Sequence, residues 1–308
     1  MGELDLESPS TPATFIRHER RALKVAVAQI ETRFGDLDVN LEKHLDIIKQ
    51  ARDAGAECLL FPEMSLTGHN AGGFSLDLAI QQSDPRIRIL AEASGEMLTL
   101  FGLIEEGPAA QFYNAIFAVK SGQLPFLHRK INLATYGRLE EGKHFASGRY
   151  VETFQLSDFW RASALICNDV WNPALVHLAA LHGATLLFVP ASSAREAVGA
   201  GFDNPGGWNI VCRFYASMYG LPILFANRVG TEQDLTFWGG SRILDAFGEV
   251  LASAQDEEAL LFTEITDEAV RRARYLLPTV RDSNLGLIAR EVNRLQDILG
   301  VPEAVRRY

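Results

Sequence analysis

Cys167 closes the apolar run Ala164-Leu165-Ile166 and is followed by Asn168-Asp169, so the sequence predicts a strand that stops and turns at a thiol. A side chain at the end of a buried strand is held rigidly while facing a cleft, and the N–H groups that follow can point at a developing oxyanion. Glu63, in Phe61-Pro62-Glu63-Met64-Ser65, follows a second short apolar run, and the proline fixes the chain ahead of it. A carboxylate there could take a proton from a thiol and return it to a leaving amine. Lys130, in His128-Arg129-Lys130-Ile131, stands just beyond another strand, where a cation could stabilise a tetrahedral oxyanion. Glu140 and Glu141 come next in a loop, and the residues alone do not choose between them. Singly, each has an ordinary reading as a small core cysteine, a solvated loop glutamate or a surface lysine.

The elements that must position these residues alternate along the chain. Strand patterns fall at residues 23–30 (LKVAVAQI), 58–61, 97–104, 115–119, 123–128, 162–167, 185–189, 223–226, 243–246, 249–251 and 260–265. Helical spacing links Leu41, Leu45, Ile48 and Ala51 until Gly55 supplies a stop, and recurs near 85–93, at 173–181, 208–219 and 285–299. Hairpin turns are expected at Ser121-Gly122 and Phe247-Gly248. Central strands this apolar need cover on both faces, so the expected fold is α/β, two sheets packed face to face under outer helices in a four-layer αββα sandwich. Residues 1–20 read as a polar N-terminal tail, 21–281 as one domain, and 282–308 as a C-terminal helical extension that covers the core or swaps onto a partner subunit.

Composition narrows the class. At 308 residues, 47% hydrophobic and 22% charged, the chain suits a large buried core. A formal net charge of −10, with no basic run interleaved with aromatics, disfavours nucleic acid. No apolar stretch approaches the roughly 20 residues that span a bilayer and the start is polar, so no membrane partner and a cytoplasmic location are expected. Three widely spaced cysteines, Cys58, Cys167 and Cys212, suit free thiols and neither a disulfide framework nor a zinc site.

Taken in order, LLFPEMSLTG around Glu63, HRKINL with EEGKHFASG around Lys130 and Glu141, and ALICNDVWNP around Cys167 resemble the signature segments of the nitrilase (carbon–nitrogen hydrolase) superfamily, over about 24–281. Weaker echoes lie in GATLLFVPAS, RFYASMYGLPILFANRVG and FWGGSRILDAFGEVLA. The resemblance implies the αββα sandwich, Cys167 as nucleophile, Glu63 as general base and acid, Lys130 as oxyanion stabiliser, and Glu141 as a second carboxylate that positions the substrate or the base. It implies hydrolysis of a non-peptide C–N bond in a small amide or ureide through a thioester, with no metal or organic cofactor, in a homodimer or larger homo-oligomer. Asn168-Asp169 after the cysteine is similar to the N-carbamoyl amino acid amidohydrolases and departs from the Trp-Glu of nitrile-cleaving members, whereas Val170-Trp171-Asn172-Pro173 is closer to the glutaminase domains of NAD synthetases. The branch, amidase or carbamoylase, stays open at this point.

Asn168 and Trp171, beside the nucleophile, are expected to bind substrate. The glycine-rich stretch 191–207 is expected to wall the site or to form a surface loop, with Arg195 as partner for a substrate carboxylate. Two other functions compete: an acyltransferase of the same superfamily, and a non-catalytic binding or scaffold relative. A papain-like protease would need a histidine base, for which His69, His177 and His182 are the candidates.

Overall fold

The computed structural model describes residues 21–199 and 201–299, so the expected tail 1–20 and the last residues of the extension lie outside the described part. One six-stranded sheet takes β1 (Ala22–Gln29), β2 (Cys58–Leu60), β3 (Leu98–Gly107), β4 (Gln111–Lys120) and β5 (Gln123–Arg129) in that order, with a strand from far down the chain beside β1. The other combines β6 (Phe154–Gln155), β7 (Arg161–Ala164), β8 (Leu186–Ala191) and β9 (Ile223–Asn227) with β12 (Arg242–Leu244) and β13 (Val250–Ser253). Between these, β10 (Val229–Glu232) and β11 (Leu235–Trp238) form a separate hairpin, and β14 (Ala259–Thr266) is the strand that returns to β1. Strands β1 to β3, and β7 to β9, run parallel to their neighbours in sequence order.

Alternation along the strands builds the layers. Val25 and Val27 of β1 join Phe188 and Leu224 of the other sheet in the core between sheets, while Ala26 and Ala28 face outward to helices α1 (Leu37–Asp53) and, past the short α2 (Ser75–Leu78), α3 (Pro85–Ser94). On the far side Leu187 and Val189 of β8 meet α4 (Pro173–Leu181) and α5 (Asn204–Tyr219) through Val176, Trp208 and Cys212. Both faces of each central sheet are therefore covered, which is why their strands read as unbroken apolar runs. The expected αββα sandwich is the observed fold. The Ser121-Gly122 turn has positive φ at both positions, as a two-residue hairpin between right-twisted strands requires.

Some elements differ from expectation. The strand expected at 162–167 ends at Ala164, and Cys167 opens a single 3-10 turn. Helix α5 starts at Asn204 and not at 208, because the Asp203 carboxylate accepts the Gly206 N–H and Pro205 occupies the first turn, so Gly206 and Gly207 are carried into the helix. Helix α6 (Asp267–Leu276) and the β10–β11 hairpin were not anticipated; α6 buries only Asp267, Val270 and Ala273, too sparse a stripe to read as a period. The terminal α7 (Leu285–Ile298) is present but buries no residue, so within the single chain it does not cover the core. Among the described residues no helix is long and apolar enough to cross a membrane.

One buried polar pair governs the exit from β2. His44 of α1 bonds Ser65 Oγ at 2.9 Å and stacks on Phe61 with centroids 4.1 Å apart, while Asn40 donates to the Leu66 carbonyl at 2.9 Å. Burial pushes the His44 imidazole down to about 4. Between pH 6.5 and 4 the unfolded chain therefore binds a proton that the folded chain refuses, and stability falls as pH drops. From pH 7 to 5 this one group should remove about 2 kcal/mol. Urea unfolding at the two pH values should show a smaller drop in His44→Gln than in wild type; equal slopes would contradict the assignment.

Candidate active site

Lys130, Glu63 and Glu141 meet in one buried cluster. The Lys130 ammonium lies 2.7 Å from Glu63 Oε1 and 2.8 Å from the Glu141 carboxylate, with all three side chains less than a tenth exposed. Burial works against the lysine's charge, but Glu141 and then Glu63 outweigh it and hold Lys130 well above the ordinary lysine range. Asn114 of β4 spans the same two carboxylates, its amide donating to Glu63 at 2.7 Å and to Glu141 at 2.9 Å. The other oxygens are held by backbone: Ser192 N–H donates to Glu63 and Ala134 N–H to Glu141.

Position follows from the strands. Glu63 lies just past the C-terminal end of β2, Lys130 directly after β5, and Cys167 and Ser192 just past β7 and β8 of the other sheet. In open parallel sheets this edge is where ligands bind. The Glu63 segment crosses β3 at Gly102, where an added Cβ would overlap Met64 N and lie 2.8 Å from the Glu63 carbonyl carbon.

Cys167 has a φ of 45°, a left-handed conformation for a residue with a side chain, and so stores backbone strain at the turn. Asp169 holds that turn in place. Its carboxylate accepts from Ile166 N–H at 3.0 Å on one side, and from Ile131 and Asn132 N–H at 2.9 and 2.7 Å on the other, with His128 Nε2 at 3.0 Å. One buried aspartate thus ties the cysteine turn to the segment that carries Lys130. The Cys167 thiol is pushed well above its usual range by burial first and then by the Glu63 charge, with Lys130 pulling the other way. It rests as a neutral thiol.

These side chains open on a cavity of about 270 Å³. Its walls include His69, Tyr136, Asn168, Trp171, Ser192, Ser193, Ala197, Val198, Phe202 and Trp208. A larger, open crevice of about 810 Å³ lies by Glu57, Leu98 and Trp160, at the N-terminal ends of the parallel strands and away from this cluster.

Among known proteins, the model of the family described as carbon-nitrogen hydrolase matches residues 24–275. The chain belongs to the carbon-nitrogen hydrolase family. Within that family it is 28% identical over 271 residues to the glutamine-dependent NAD(+) synthetase of Thermotoga maritima, covering 83% of this chain and 45% of that one. The chain thus spans about half the length of that synthetase. It is 26% identical to the citrullinase of Francisella tularensis, over 84% of this chain and 94% of that one. An amidase mutant from Nesterenkonia sp. AN1, solved in complex with acrylamide, superposes with a TM-score of 0.74 at 25% identity, over 87% of this chain and 96% of that one.

Of the residues singled out in the sequence, the structure brings Glu63, Lys130, Glu141, Cys167, Asn168 and Trp171 to this cavity, and His69 too, its imidazole pushed down to about 4 by burial. Glu141, not Glu140, is the one inside; Glu140 pairs with Lys143 at the surface. Arg195 needs correction: it is exposed and absent from the cavity wall, because its backbone pairs with Thr236 and the next inward positions go to Ala194 and Ala197. The stretch 191–207 does wall the cavity, through Ser192, Ser193, Ala197, Val198, Phe202 and Asn204. His177 bonds Tyr219 and Ser283 outside the cavity, which leaves the protease reading without that base. Sequence reasoning missed Asn114, Asp169 and Ser192; Asn114, a lone amide entering the apolar run of β4, carried the one available signal, since a buried amide demands partners.

Gly102→Ala should move the Glu63 segment and lower turnover by at least about tenfold, with a far smaller effect on far-UV circular dichroism, since a misplacement of about 1 Å can cost two orders of magnitude. Unchanged turnover in a folded Gly102→Ala protein would show that the crossing does not set the Glu63 position.

Proposed function

We propose that this chain hydrolyses a carbon–nitrogen bond of a small amide, with Cys167 as nucleophile. The observation that carries this reading is the buried Lys130 bridge between Glu63 and Glu141, facing the cavity that Cys167 enters on a left-handed turn. Because the thiol rests neutral, attack and proton removal go together: Sγ bonds to the carbonyl carbon while Glu63 takes the thiol proton. Lys130 and the Asn168 N–H stabilise the oxyanion. Collapse breaks the C–N bond as Glu63 hands its proton to the departing ammonia or amine, leaving a thioester on Cys167. Water then gives a proton to Glu63 and its oxygen to the acyl carbon; the second collapse releases the acid and returns the proton to sulfur. Glu141 and Asn114 hold Lys130 and Glu63 in register and exchange no proton.

The cavity suits a small molecule, and the αββα frame is compatible with assembly into a homo-oligomer. Exposed apolar side chains on α5, Ile210 (69%) and Phe214 (50%), together with the face of α7, support that assembly. Light scattering that returned only a monomer would remove it.

Wild type, Cys167→Ala and Glu63→Gln should be compared on simple amides by ammonia release and by intact mass. Wild type should release ammonia, Cys167→Ala none above background, and Glu63→Gln should be slowed about 100- to 10,000-fold, as loss of a general base costs. A transient acyl adduct on Cys167 should appear. Equal ammonia release by Cys167→Ala would overturn the mechanism.

A further inference from the structure

The walls of the cavity hold hydrogen-bonding groups, most of them already occupied, and the two buried atoms left without a partner among the described residues of the wall, His69 Nδ1 and Ser192 Oγ, belong to neutral side chains. Asn168 accepts from Tyr136 Oη at 2.8 Å and donates to the Asn132 carbonyl at 3.1 Å. The Ser193 hydroxyl accepts from Asn204, Trp208 and Trp238 at 2.9 to 3.2 Å, and Asn204 also donates to the Ala194 carbonyl. Glu63, Glu141 and Lys130 satisfy one another. Among the described residues no other charged side chain lines the cavity.

Cations that could come near are engaged elsewhere. Arg138, in the adjoining crevice with His69 and Leu139, pairs with Asp234 at 2.6 Å, and buried Arg228 pairs with Glu232 at 2.7 Å. Burial keeps His69 neutral, its imidazole pushed down to about 4. The remaining wall is aromatic and aliphatic. Trp171 packs edge-on against Phe202 at 5.7 Å and Trp208 at 5.2 Å, beside Leu139, Ala197 and Val198.

We infer that this cavity selects an uncharged amide with a short apolar acyl chain and rejects amides that carry an amino-acid headgroup, such as glutamine. A carboxylate or ammonium entering here would give up water and meet only neutral donors and acceptors with no free countercharge, a penalty that a neutral chain escapes. Size favours a short chain: 270 Å³ lies below the roughly 300–1,000 Å³ of drug-sized sites. Gly207 helps to set that limit. Its missing Cβ would lie 2.8 Å from Trp171 Cη2 and 3.1 Å from Phe202 Cζ, so α5 backs directly onto the aromatic wall. Glutamine, on which the similar synthetase depends, carries charged groups for which this wall holds no free countercharge.

The inference rests on the amide-cleaving reading above, and two measurements separate their fates. Butyramide and 3-aminopropanamide share a length and differ in the charge at the far end, as do 4-methylpentanamide, the neutral control for size, and succinamate; glutamine completes the set. Wild-type kcat/KM should favour butyramide over each charged amide by at least about 100-fold, and calorimetry on Cys167→Ala should detect butyramide and none of the charged three. Gly207→Ala should raise KM for butyramide more than for acetamide. A charged amide within tenfold of butyramide in either measurement overturns the inference. Selective binding of butyramide to Cys167→Ala without wild-type turnover would sink the hydrolase reading and keep the selectivity; efficient turnover of succinamate or glutamine would do the reverse.

Discussion

A single ammonium shared by two buried carboxylates sets the terms for everything around it. Removing Lys130, Glu63 and Glu141 from water is costly, and only close geometry with every remaining lone pair satisfied offsets that cost. The offset is supplied by Asn114, by the N–H groups of Ser192 and Ala134, and by the lysine itself. These partners come from both sheets. Glu63, Asn114 and Lys130 belong to the sheet of β1 to β5, and Ser192 and Cys167 to the other, so the cluster exists only while the apolar layer between the sheets holds them in register. The stability of the fold and the geometry of the site are one problem here.

That arrangement also shapes the chemistry. A cysteine beside a lysine alone would ionise readily, but burial first and then the Glu63 charge keep the Cys167 thiol protonated. In the proposed mechanism the thiol is thereby linked to the carboxylate that would receive its proton. Asp169 fixes the strained turn at Cys167 to the segment of Lys130, so thiol and cation share one anchor.

The layers were legible in the sequence because strands covered on both faces are apolar without interruption, and helices α1, α3 and α4 carry clear stop or cap residues. Glu63, Lys130 and Cys167 each end such a run, but it is the resemblance of the segments around them that singles them out. What escaped were contacts between segments far apart in the chain. Nothing in the local pattern says that Asn114 reaches Glu63 across 51 positions, or that Ser192 N–H reaches it across 129. Arg195 was chosen for its chemistry alone, and the backbone pairing of its strand-like segment with Thr236 turned it to solvent. Gly206 and Gly207 were read as loop because glycine disfavours helix, yet a capped N-terminus and the Trp171–Phe202 wall made their small size the requirement.

The shared ammonium is tested most directly by the stability of Lys130→Met, measured by urea unfolding beside Lys130→Met/Glu63→Gln. Loss of the cation leaves two buried carboxylates unpaired, so the single variant should lose about 3–5 kcal/mol, and neutralising Glu63 should restore part of it. A Lys130→Met protein within about 1 kcal/mol of wild type, with no rescue in the double variant, would contradict the claim that this bridge organises the site.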